Sequence, residues 1–138
     1  MKIASILPYK ENYSSKNAGA VSLWVSDFMK YSLYKKNITV FGYTNTFKYL
    51  SKNYVNINLK SINSKISSST KEYTKNIINH LTKNHFDIVE IHNRPVMVED
   101  FVKNINSKII LYLHNDPKTM KGAKTKSEKL FLLENVDK

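Results

Sequence analysis

Two short apolar runs, Ile88-Val89-Glu90-Ile91 and Ile109 to Leu113, are each preceded by charge and each followed by His-Asn and then a proline. Runs without strict alternation belong to strands buried on both faces, which occur in parallel sheets covered by helices. Ligands of open parallel sheets bind in the crevice beyond the carboxyl ends of the strands. On position alone, His92, Asn93, Arg94, His114, Asn115 and Asp116 are therefore candidate functional residues.

The remainder reads as scaffold for those two ends. An opening strand, Lys2 to Leu7, leads into a polar loop reaching about Gly19. Val21, Trp24, Val25, Phe28 and Met29 then recur at i, i+3, i+4, i+7 and i+8, the apolar stripe of a helix packed on a sheet. Leu33 extends that stripe, Trp24 is assigned to the core, and Asn37 terminates the segment. A second strand spans Ile38 to Gly42, and a loop with a short helix around Phe47 to Leu50 follows. Val55, Ile57 and Leu59 alternate with Asn56 and Asn58, as expected of a strand with one wet face at the sheet edge. Ser61 to Ser69 is a Ser-rich connector and the expected mobile loop. A helix from about Thr70 to Asn84 turns Tyr73, Ile77, Ile78 and Leu81 inward, and His80 and His85 are expected to be structural. Pro95 suits the first position of a helix that buries Val98, Phe101, Val102 and Ile105. Thr125-x-x-Glu128 is a capping box opening a last helix with Leu130, Phe131 and Leu133. This order predicts an α/β fold, a Rossmann-like, doubly wound, mainly parallel sheet in one domain over residues 1–138.

The composition agrees. A chain of 138 residues is close to the usual size of one domain. With no cysteine, a disulfide framework, a thiolate metal site and a Cys nucleophile are all excluded. The N-terminal apolar run, broken by Pro8 and Lys10, is too short for a signal peptide, and no stretch approaches the ~20 apolar residues of a spanning helix. A soluble, cytoplasmic protein is expected. The net charge of +11 raises the question of a polyanionic partner. Arg94 is the one arginine among 22 basic residues, whereas nucleic-acid readers rely on the guanidinium fork. The lysines are also spread along the chain, so nucleic acid is discounted and weak association with an anionic membrane surface is retained.

In the common doubly wound order the first and fourth strands are neighbours, which predicts that Gly19, His92 and His114 line one cleft. The first loop reads Asn17-Ala18-Gly19-Ala20, so neither the dinucleotide fingerprint nor the P-loop is present. A glycine at a helix N-terminus still permits an anion to approach free backbone N–H groups. Arg94 suits bidentate binding of a carboxylate or phosphate, or the capping of a carbonyl. A rival arrangement is a small metallohydrolase site built from Glu90, His92, His114 and Asp116.

The stretches K-I-A-S-I-L-P, N-A-G-A-V-S-L-W-V, F-D-I-V-E-I-H-N-R-P and L-Y-L-H-N-D-P-K-T-M-K-G, with the final L-L-E-N-V-D-K, carry a resemblance. Over nearly its whole length the chain resembles the N-terminal half of a glycosyltransferase family 4 enzyme of the GT-B type, particularly those building bacterial lipopolysaccharide and other surface glycans. The resemblance implies two Rossmann-like domains facing across a cleft, the N-terminal one for a glycan or lipid-linked acceptor and the C-terminal one for a nucleotide sugar. It implies transfer with retention, no obligatory metal, and no cofactor beyond the nucleotide-sugar co-substrate. It places His114 beside the transferring sugar as the catalytic residue and Gly19 near the donor phosphates. His92 and Arg94 then shape the acceptor side, and Asn17, Asn115 and Asp116 complete the substrate-binding set. The donor-binding C-terminal domain is expected to be missing from this chain, leaving it inactive alone and cytoplasmic or peripheral at the inner face of the cell membrane. A non-enzymatic basic surface-binding domain is the alternative from another class.

Overall fold

The computed structural model describes residues 1–59 and 68–137. Five parallel strands form one sheet: β1 (Ile3–Ile6), β2 (Ile38–Gly42), β3 (Tyr54–Asn56), β4 (Ile88–His92) and β5 (Lys108–Tyr112), in the order β3-β2-β1-β4-β5. The central pair is in register from Ile3 opposite Ile88 to Ile6 opposite Ile91, so their carboxyl ends finish level. Among the described residues four α-helices accompany them: α1 (Ala20–Tyr31), α2 (Ser69–Lys83), α3 (Val98–Asn104) and α4 (Lys126–Asn135). The fold is the expected doubly wound α/β sheet, and the strand order is the one that makes β1 and β4 neighbours. Seven residues of the Ser-rich connector, 61–67, lie outside the described residues.

The pleat sorts each strand into two cores. Ala4, Ile6, Phe41, Val89, Ile91 and Ile109 join α2, α3 and α4 residues in one cluster, while Ile3, Ile38 and Val40 join Val21, Val25 and Met29 of α1 in another. Helices thus cover both faces. Tyr73 of α2 is fully buried, and its hydroxyl donates to the carbonyls of Leu7 at 2.9 Å and Phe41 at 3.4 Å. It pins α2 to the carboxyl ends of β1 and β2. Ser68 caps α2, and the capping box of α4 forms as expected, with Glu128 N–H donating to Thr125 Oγ1 and Thr125 N–H to Glu128 Oε2.

Local expectations fail where the pattern was short. No helix forms around Phe47 to Leu50, which instead carries an antiparallel bridge between Tyr49 and Ser14. β3 stops at Asn56 because that side chain accepts from the N–H of Thr44 and donates to its carbonyl, ending the ladder. Pro95 opens a 3-10 turn, Pro95–Met97, which then becomes α3. In α4 the buried leucine is Leu132, and Leu130 and Leu133 face outward. No helix among the described residues is long and apolar enough to cross a membrane.

Candidate functional site

β4 has two chemically distinct faces. Val89 and Ile91 point into the α2–α4 core, while Glu90 and His92, two apart and therefore on the opposite face, point to the α1 side. Both are buried, Glu90 to 6% exposure and His92 to 1%. Ser5 of β1, opposite Glu90 in the ladder, serves both neighbours. Its hydroxyl lies 2.9 Å from His92 Nε2, with the Glu90 carboxyl beside it. On the other side of the ring, His92 Nδ1 is 3.0 Å from His114 Nε2. The result is a chain of hydrogen bonds from Ser5 through His92 to His114.

Burial and neighbouring charge set the protonation of these groups. Burial pushes the Glu90 carboxyl up, and the Ser5 hydroxyl pulls it back. Burial, reinforced by repulsion from His114, holds His92 down at about 3, so at neutral pH it is an uncharged imidazole. Burial also lowers His114, against the pull of the Glu11 carboxylate. Where Ser5 accepts from His92 Nε2–H, the two neutral rings take linked tautomers. His92 Nδ1 then accepts from His114 Nε2–H, and the remaining lone pair of His114 lies on Nδ1. The relay couples the tautomer of half-buried His114 to that of His92, and in this arrangement leaves His114 a hydrogen-bond acceptor.

The loops at the two strand ends are tied together by Asn93. It adopts φ +56°, a left-handed conformation that Asn tolerates better than most residues. Its N–H donates to Tyr112 O at 2.7 Å, and its side-chain oxygen accepts from the N–H of His114 and of Asn115. Arg94 is half-buried and donates to the Asn93 carbonyl at 2.9 Å, the carbonyl-capping role. Asp116 caps its own 3-10 turn through Lys118 N–H and is exposed, and Asn115 is exposed beside it. Asn17 is also exposed, its N–H donating to Ser14 Oγ. Asp116 therefore caps a turn and does not join Glu90 and the two histidines. Among the described residues no group of three or more His, Asp or Glu side chains is placed to hold a metal ion.

Residues that sequence reasoning passed over complete the site. Trp24 is 40% exposed and no part of the core: its ring lies 5.7 Å from His92, 5.4 Å from Tyr112 and 5.1 Å edge-on from His114. Phe28 stacks behind it at 5.4 Å, and Tyr112 stacks on His92 at 4.9 Å. At 100° per residue, the buried set Val21, Ser22, Val25 and Met29 centres the inward face so that Trp24 falls at its border. A helical wheel of the apolar residues alone keeps Trp24 on the inward face, and it is the buried Ser22 that turns that face away from it. Glu11 is the other omission. Its carboxylate accepts from Ser22 N–H at 3.2 Å and lies against Gly19, where a Cβ would meet Oε1 at 2.0 Å. Gly19 does admit an anion to the N-terminus of α1, and that anion is the protein's own carboxylate.

Neither the family models nor the curated proteins searched give any match to this chain.

Proposed function

We propose that this chain is the acceptor-side domain of a retaining, metal-independent glycosyltransferase of GT-B type, acting on a glycan or lipid-linked acceptor at the inner face of the cell membrane. It works against a second, donor-binding domain and transfers no sugar by itself. The observation that carries this is the relay ending at His114: an imidazole hydrogen-bonded through His92 to Ser5, at the carboxyl edge of a parallel sheet and edge-on to a partly exposed tryptophan. Sugars present hydroxyl donors and apolar C–H faces together. An acceptor nitrogen beside an aromatic ring matches both.

In this role His114 Nδ1 accepts a hydroxyl proton of the sugar and orients it, and Trp24 covers the apolar face of the ring. The Ser5–His92 chain keeps His114 from turning. Glu11 sits where donor phosphates approach the N-terminus of α1, so productive binding of the nucleotide sugar requires its carboxylate to withdraw. Equilibrium dialysis of the chain against lipopolysaccharide-core oligosaccharides and, separately, nucleotide sugars tests the assignment. Oligosaccharide retention with nucleotide sugars passing freely is expected. Retention of nucleotide sugars alone would overturn it.

A further inference from the structure

The tryptophan beside His114 is the first ring of a row. Trp24, Phe28 and Tyr31 stand at i, i+4 and i+7 of α1, within about 60° of one another around its axis, so all three share one outward face. All are exposed, Tyr31 most of all at 78%. The Trp24 and Phe28 rings are 3° from parallel with centroids 5.4 Å apart, an offset stack. Lys30 Nζ lies over the Tyr31 ring at 5.3 Å. Between the rings runs a shallow groove lined by Trp24, Asp27, Phe28, Tyr31 and Ser32. The Ser32 hydroxyl is already engaged, accepting from Tyr34 N–H at 3.0 Å. Asp27 is exposed and enters no salt bridge among the described residues, which leaves its carboxylate as the acceptor of the groove.

Place and chemistry together select the occupant. The row starts at the histidine site, where Trp24 touches His92, Tyr112 and His114, and leads away from it. From Trp24 to Tyr31 it covers about 10 Å along the helix axis. Five residues line the groove, far fewer than the roughly 20–30 a side of a stable protein interface. The one charged group lining it is a carboxylate, which repels phosphate and sulfate and accepts from hydroxyls. Aromatic faces flanking a hydroxyl acceptor match a sugar ring, whose C–H faces are apolar and whose rim is made of hydroxyl donors.

We propose that α1 carries a second sugar subsite, in which Phe28 and Tyr31 cover the acceptor's next residue and the Asp27 carboxylate accepts its hydroxyl protons. The acceptor is then an oligosaccharide whose terminal residue meets His114 and Trp24 while the residue behind it lies along α1. A single sugar on a carrier would leave the row empty. This rests on the acceptor role of His114 and adds to it a requirement for length.

Trp24 fluorescence titration of the intact chain tests it, with dephosphorylated lipopolysaccharide-core oligosaccharide and, separately, the monosaccharides released from it by acid hydrolysis. The oligosaccharide should bind at least roughly tenfold more tightly than any of the monosaccharides. Tyr31→Ala and Asp27→Asn should each weaken oligosaccharide binding at least about fivefold and leave monosaccharide binding unchanged. Both positions are exposed, so unchanged circular dichroism is expected alongside. Full oligosaccharide affinity in both variants, or equal affinity of the wild type for the two classes of sugar, would overturn the subsite and leave the role of His114 standing. No response of the wild type to either class would overturn both. A dimer that Tyr31→Ala dissolves, in a chain without preference for the oligosaccharide, would also overturn the subsite, since the row would then serve a second copy.

Discussion

His92 is a neutral histidine by construction, with both ring nitrogens engaged inside the protein and its pKa held near 3. An unfolded histidine titrates near 6.5, so between those values the unfolded chain binds more protons and stability rises with pH. The stability this burial contributes is complete above about 6.5 and is lost as pH falls toward 3, at up to about 1.4 kcal/mol per pH unit for the single proton. His92→Gln should flatten that part of a urea-denaturation pH series relative to the wild type. An unchanged slope would mean that His92 protonates freely in the folded state. Glu90 acts in the opposite sense, its raised carboxyl losing stability as pH rises, so the difference between the two proteins is what isolates the histidine. Gly19 offers a second residue-scale test. Its φ of −74° is open to any residue, so what restricts it is space: a Cβ displaces the Glu11 carboxylate from Ser22 N–H. Gly19→Ala should cost about 1 kcal/mol of helix capping in chemical denaturation. It should also lower the His114 pKa further in NMR titration, because the Glu11 charge that raises it moves away.

At the scale of elements, what was legible followed the length and regularity of the signal. α2 was read to within a residue at each end from Tyr73, Ile77, Ile78 and Leu81, and the α4 capping box from Thr125 and Glu128. That box is expected to matter: Thr125→Ala removes the acceptor for Glu128 N–H and should cost about 1 kcal/mol in urea denaturation with the midpoint, not the slope, moving. β4 was placed correctly but its two faces were not distinguished, since an apolar run interrupted by one Glu looks continuous. α1 failed in an informative way. The five-residue stripe i, i+3, i+4, i+7, i+8 is broader than the face that one helix buries here, because β4 and β5 on that side present Glu90, His92 and Tyr112 instead of apolar side chains. Trp24 therefore ended over the histidines, and Leu33, already beyond the helix, ended in solvent. Nothing in the local pattern could show Glu11 folding back on Gly19, which depends on an 11-residue loop reach between Glu11 and Ser22.

For the whole molecule, the strand order brings β1, β4 and the N-terminus of α1 together, and the site is a consequence of that topology more than of any motif. His92 and His114 do share one edge, 3.0 Å apart, while the association of Gly19 with them runs through Glu11. Sugar transfer requires donors that stabilise the leaving phosphate charge, and the proposed function assigns those to a partner domain. Incubated with nucleotide sugars and lipid-linked acceptors, the 138-residue chain should release nucleotide only at background rate. Trp24 is the sole tryptophan and touches His92, Tyr112 and His114, so its fluorescence reports on this site. The decisive measurement is a Trp24 fluorescence titration with glycan acceptors, comparing wild type with His114→Ala. Saturable quenching or enhancement in the wild type, with at least roughly tenfold weaker binding in the variant, is the predicted result, equivalent to about 1.4 kcal/mol. A glycan response of equal affinity in both proteins, or none in either, would contradict the assignment of His114 to an acceptor site.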